Sequence, residues 1–298
     1  MKETIHNHFL AETYPPQDHM LRDLSIDVIS TGAESATIQA PVIPEVCSEK
    51  EVLCVGLQAT LVDVLGGVIA IPAVSPDWIS TSNLSIHTTR PVIPGRVWAE
   101  GRILRAGRTS VVIGVEIQAE KTAMPQQMTP AGFATITYSR LPGNKTRLQM
   151  KTTTNPKEVV RFSLKGAGLD KPFAQKIGVQ IIDRAEGKIA LDLTDYVRNS
   201  LGSLQGGMTA FLADLAGQYV AREATGKSGQ TLDLVINYMS PGITGPFQTM
   251  AEVLRMDHGS VLTRVRVIDQ GNKHRLMAVV LNSVRLSDEQ ESKNKTSF

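Results

Sequence analysis

The sequence has little of what many functional classes display. It holds only two cysteines, Cys47 and Cys54, in 298 residues. Two thiols cannot build an extracellular disulfide framework, so a reducing, cytoplasmic setting is expected. Its six histidines fall in no HxxxH or HExxH pattern, and no metal site is expected. Charge of one sign is scarce too: the net charge is +2, and scattered basic residues give a nucleic-acid surface little support. Long apolar runs are missing. The longest, VLGGVIAIPAV, is too short and too broken by Gly and Pro for a transmembrane helix. The first residues, MKETIHNHFLAETYPPQDHM, lack the continuous apolar core of a signal peptide. What is present, 42% hydrophobic and 20% charged residues, is the composition of a soluble globular protein of one or two domains.

The chain is written twice. GLQATLVDVLGG, from Gly56, lies over GMTAFLADLAGQ, from Gly207, at an offset of 151 residues. In that register Asp63 meets Asp214. Further on, PVIPGRVWAEGRILRAGRTSVVIGVEI, from Pro91, lies over PGITGPFQTMAEVLRMDHGSVLTRVRV, from Pro241, at an offset of 150. Chance rarely keeps one register for so long, and an internal repeat decides the fold before any local pattern does. Two units are expected, at 1–141 and 158–286. The polar stretch between them, 142–157, reads as a linker, and the tail 287–298 as disordered.

Each unit has the same order of elements. A strand pair broken by turn residues comes first, LSIDVISTGAESATIQAPV in one copy and IGVQIIDRAEGKIALDL in the other. One main helix follows, at 55–74 and 206–224, and then three strands. In the second copy these are TLDLVINYMSP, a run folding back at Asp257-His258-Gly259, and RLMAVVLNSVRL. The pattern is α+β. The helix of the second copy is rich in small residues (Ala210, Ala213, Ala216, Gly217) and apolar over most of its circumference. It should therefore be buried, with a sheet packed close around it. A single helix wrapped by a curved antiparallel sheet is the hotdog architecture, so two hotdog domains in tandem, a double hotdog, are expected.

The residues around the second helix carry a family resemblance. Asn199, then Gln205-Gly206-Gly207, then Asp214 fifteen residues after the Asn, followed by the strand INYMSP, resemble the PaaI-like acyl-CoA thioesterases. That family has Asn, His-Gly-Gly and a helical Asp at this spacing. The likeness is close over the second half and weak over the first. Here Gln205 replaces the family's histidine. In the first copy Ser48, Cys54 and Val55 replace the Asn, His and first Gly.

Hydrolysing a thioester requires fixed donors for an oxyanion, and a carboxylate that activates water or attacks directly. The Gly206 N–H, at a helix N-terminus, suits the first task, because it lacks an intrahelical partner and lies at the positive end of the helix dipole. The amide of Asn199 could add a second bond. Asp63 and Asp214 suit the second task, being too deep in their helices to act as N-caps. Thr81 and Thr231, at matching strand positions, are the expected hydroxyl partners. The resemblance implies sites shared between copies. The first joins Asn199, Gln205, Gly206 and Gly207 to Asp63 and Thr81. The second joins Asp214 and Thr231 to Ser48, Cys54 and Val55. The first should be the better catalyst, because Val55 brings a Cβ where the first site has glycine, and Ser48 is a shorter donor than Asn.

Blander readings stand beside these. The two acids could be structural, Asn199 could be a turn residue, and the threonines could be ordinary strand residues. His87 and Asn237 are read by alternation as facing the same side as Thr81 and Thr231, where they could border a ligand pocket or, as the blander reading has it, be solvated strand residues. Arg90, Arg96, Arg102, Arg105 and Arg108, with Arg255, Arg264 and Arg266, could meet the phosphates of coenzyme A or simply be solvated. Cys54 is read as a packing residue. The resemblance implies an acyl-CoA thioesterase with no cofactor beyond the coenzyme A of its substrate, no nucleic-acid or membrane partner, and a possible homodimer. The alternative is a non-catalytic acyl-CoA-binding or sensing protein. Hotdog dehydratases fit poorly, because neither helix has a His near its Asp.

Overall fold

A computed structural model describes residues 14–49, 51–121, 124–142 and 162–287. The expected linker and tail therefore lie outside the described residues, apart from Pro142 and Ser287. Each copy begins with a short helical turn, α1 (Met20–Asp23) or α3 (Phe173–Lys176). In the first copy the strands are β1 (Asp27–Thr31), β2 (Ser35–Val42), β3 (Trp78–Thr88), β4 (Gly95–Ala106), β5 (Ser110–Lys121) and β6 (Met124–Leu141). In the second they are β7 (Gln180–Asp183), β8 (Lys188–Leu191), β9 (Gly229–Tyr238), β10 (Phe247–Met256), β11 (Ser260–Asp269) and β12 (Arg275–Leu286). The long helices are α2 (Val55–Val74) and α4 (Gly206–Thr225), within a residue of where the sequence puts them.

All twelve strands form one sheet, in the order β1-β2-β4-β5-β6-β3-β9-β12-β11-β10-β8-β7. The copies join at its centre, where β3 pairs antiparallel with β9 from Asn83↔Asn237 to His87↔Asp233. The sheet's inner residues, such as Leu84, Ile86, Ile113, Ile136, Leu234 and Ile236, are fully buried. Each such side chain contributes roughly 1.5–3 kcal/mol relative to exposure. This is the double hotdog that the repeat implies.

The helices lie on the inner side of the sheet and touch each other. A Cβ on Gly56 would overlap the backbone of Phe211, and one on Gly207 would meet the Cα and side chain of Thr60. Glycine in a helix costs about 1 kcal/mol relative to alanine; here it allows two backbones to meet. With 20 residues and a mean hydropathy of 1.8, α2 extends beyond VLGGVIAIPAV and is long and apolar enough to cross a membrane. Its packing against sheet and partner helix is that of a core helix.

Candidate active site

Both long helices start without a side-chain cap: neither Cys54 nor Gln205, the N-cap residues, bonds its own helix. Their unpaired N–H groups are instead met by the other helix. Asp214, from the middle of α4, accepts from the Gly56 N–H of α2 at 2.8 Å. Asp63, from the middle of α2, is met in turn by the Gly207 N–H of α4. Each mid-helix acid thus lies against the positive end of its partner's dipole.

Around Asp63 the arrangement is open. Thr81 Oγ1 donates to Asp63 Oδ1 at 2.8 Å, and Gln205 Nε2 donates to Oδ2 at 2.9 Å. Gly206 lies directly under the carboxylate, and a Cβ there would come within 2.9 Å of Oδ2. Asp63 is half-buried. Burial pushes its carboxyl up to about 6, against the opposing donations from Thr81 and the Gly207 N–H. Gln205 is buried, and its Oε1 meets no acceptor-seeking group among the described residues. The site therefore offers a carboxylate basic near neutral pH, a free acceptor beside it and a helix N-terminus below.

Around Asp214 the same parts are closed in. Thr231 Oγ1 donates to Oδ1 at 2.6 Å, and Gln218 Nε2 adds a second donor to the same oxygen at 2.9 Å. The carboxylate is only 1% exposed. Burial raises its pKa, opposed by Thr231, by the Gly56 N–H, by Gln218 and by the Val55 N–H. Two N–H groups of α2 are thus committed to the acid itself. Cys54 lies beside it as a thiol held protonated by burial and by the Asp214 charge.

Comparisons with known proteins bear on the fold and the class of the chain. Residues 52–125, which contain Asp63 and Thr81, match the Thioesterase superfamily. Solved structures share the fold over most of their length. A tesB protein from Mycobacterium avium subsp. paratuberculosis is 10% identical, with a TM-score of 0.59, covering 88% of this chain and 96% of its own. A proposed thioesterase from Novosphingobium aromaticivorans is 15% identical, with a TM-score of 0.60, covering 88% and 98%. The chain is a double hotdog, and residues 52–125 of its first copy are similar to the Thioesterase superfamily. Its class is that of the thioester hydrolases. In sequence, a Saccharolobus solfataricus protein named as a proposed esterase is 26% identical over 109 residues, 37% of this chain and 78% of its own.

Within the double hotdog, the remaining sequence-picked residues fall in different places. Asn199 and Ser48 occupy matching loops, each closed by a bridge, Arg198↔Leu204 and Cys47↔Leu53. The Asn199 amide donates to Ser203 Oγ at 2.8 Å, and its Oδ1 accepts from the N–H groups of Leu201 and Ser203. It shapes the loop that leads into α4. His87 and Asn237 require a correction. A β-bulge between Thr81 and Asn83 breaks the alternation, and so does one between Thr231 and Asp233. Both residues therefore face the outer side of the sheet, away from the acids. There His87 pairs with Asp233 at 2.7 Å and stacks on Phe133, while Asn237 accepts from Asn83. The eight arginines are all exposed.

Sequence reasoning missed three tyrosines near Asp63. Tyr138 donates to the Asp63 carbonyl at 2.8 Å, and Tyr238 donates to the Gly206 carbonyl at 3.0 Å. Tyr14 reaches the Arg198 carbonyl from the N-terminal segment, where His19 also binds. Burial and the nearby Asp63 charge hold all three phenols protonated. Tyr238 and Tyr138 have no tyrosine counterpart in the repeat, where the matching positions are Thr88 and Val284, so the comparison of copies gave no signal for them.

Proposed function

We propose that this chain hydrolyses acyl-CoA thioesters at the site formed by Asp63, Thr81, Gln205 and the start of α4. One observation carries the reading: a partly exposed aspartate, its carboxyl pushed up to about 6 by burial, lies on the N-terminus of the other copy's helix. Asp63 acts as general base. It takes a proton from water as the water oxygen attacks the thioester carbonyl carbon. Thr81 and Gln205 fix the carboxylate, and the free Gln205 Oε1 accepts the water's second hydrogen. The Gly206 N–H stabilises the oxyanion, a task at which one donor is typically worth about 3 kcal/mol. The tetrahedral intermediate then collapses, the C–S bond breaks, and the leaving thiolate takes the proton that Asp63 abstracted from water, which returns Asp63 to its charged form. Asn199 serves by holding the loop in front of α4, which revises its expected role as a direct donor. Exposed arginines such as Arg102 and Arg105 would meet the phosphates of coenzyme A. Two free cysteines suit a cytoplasmic setting.

Site one is the working site and site two is inactive in this reading, because Asp214 is enclosed. A thiol-release assay over acyl-CoAs of graded chain length tests it. Turnover should fall by on the order of 10² or more in Asp63→Asn, while Asp214→Asn keeps most activity per folded molecule. Tight acyl-CoA binding without thiol release by the unaltered protein would favour the binding module instead.

A further inference from the structure

The two acids share an N-terminal cap and a threonine, yet Asp63 as a residue keeps some exposure and Asp214 is sealed. The difference lies one helical turn further on. In α4 that position is Gln218, whose side chain folds back along the helix and donates to Asp214 Oδ1 at 2.9 Å. Residues four apart on a helix share a face, so this contact needs nothing from the rest of the fold. In α2 the matching residue is Gly67, and a Cβ placed there would meet nothing within 4 Å. The neighbouring glycine shows that this is not a general feature of the helix, since a Cβ on Gly66 would collide with the Tyr138 ring. Asp63 Oδ1 accordingly accepts a side-chain bond from Thr81, whereas Asp214 Oδ1 accepts from both Thr231 and Gln218. On the sealed side, Tyr219 replaces Val68 and carries the Arg184 guanidinium 4.7 Å above its ring, and Arg222 pairs with Glu49 of the other copy at 2.7 Å.

We infer that the residue one turn after the acid is the gate of each site: Gly67 leaves room beside Asp63 for the acyl group and water, and Gln218 is a built-in plug of the Asp214 site. This rests on the thioesterase reading for what enters the opening, though the opening itself does not depend on it.

The test is carboxyl labelling of the full-length protein with a water-soluble carbodiimide and an amine, read peptide by peptide by mass spectrometry, beside thiol release. In the unaltered protein Asp63 is labelled and Asp214 is protected. Gln218→Gly should raise Asp214 labelling at least tenfold. Gly67→Gln should lower Asp63 labelling and thiol release together, each at least tenfold, as the new amide takes Oδ1. Gly67→Ala, whose methyl meets nothing, should leave labelling in place. Asp214 as protected in Gln218→Gly as before, or full labelling and turnover in Gly67→Gln, would overturn the gate. If Gly67→Gln does not fold, the Gln218→Gly arm decides alone. Labelling needs no turnover, so an unaltered protein that releases no thiol would sink the thioesterase reading and leave the gate still decided.

Discussion

At the scale of residues, the two helical acids differ in environment more than in sequence. Asp63 has a carboxyl pushed up to about 6, and the charged form is the base. Turnover should therefore fall as pH drops through about 6, and a pH–rate profile checks it. Thr81→Val removes a donor to the charged form, so the acidic limb should move upward by about 1–2 pH units, since a hydrogen bond to a charged group is worth about 1.5–3 kcal/mol. An unmoved limb would take Asp63 out of the role of base. The pair Asp63 and Asp214 was legible because the repeat set them in register and helix spacing put them beyond any cap. Their reciprocal bonds to the opposite helix were not, since they depend on which way two helices cross. His87 and Asn237 were misplaced for a simpler reason: one bulge residue inverts every side chain beyond it.

At the scale of elements, α2 shows how glycine serves two ends in one helix. Gly56 is present because a Cβ there would strike the backbone of Phe211, which has nowhere to go. Gly67 faces open space. Thermal melts should separate them. Gly67→Ala should raise stability by about 0.5–1 kcal/mol, the ordinary gain from a helical Gly→Ala change. Gly56→Ala should lower it by roughly 1–3 kcal/mol, the usual cost of overpacking, and should weaken the Gly56 N–H bond to Asp214 as the helices part. Small residues in the sequence announced close packing around the helices, but composition alone could not tell which glycine touches backbone and which borders a cleft.

At the scale of the whole molecule, the two copies form one cooperative body. The sheet runs unbroken from β1 to β7 through the β3–β9 pairing, and α2 and α4 cap each other. Unfolding either copy would strip the N-terminal cap from the other's helix. It would also expose Gly56 and Phe211 where the backbones meet and bare the inner faces of Leu84 and Leu234. No partly folded state keeps a satisfied half, so calorimetry should show a single transition with calorimetric and van't Hoff enthalpies in agreement. Two resolved transitions would mean that the halves fold apart. The catalytic proposal makes the same demand. Its base and hydroxyl come from the first copy, and its amide and helix N-terminus from the second. A substitution that loosens the β3–β9 seam, such as Ile86→Ala against the facing Leu234, should therefore cost about 2–5 kcal/mol of stability. Where the variant remains folded, it should also lower turnover, although Ile86 donates no hydrogen bond to either acid. Turnover unchanged in the folded variant would show that the helix–helix contact alone holds the shared site together.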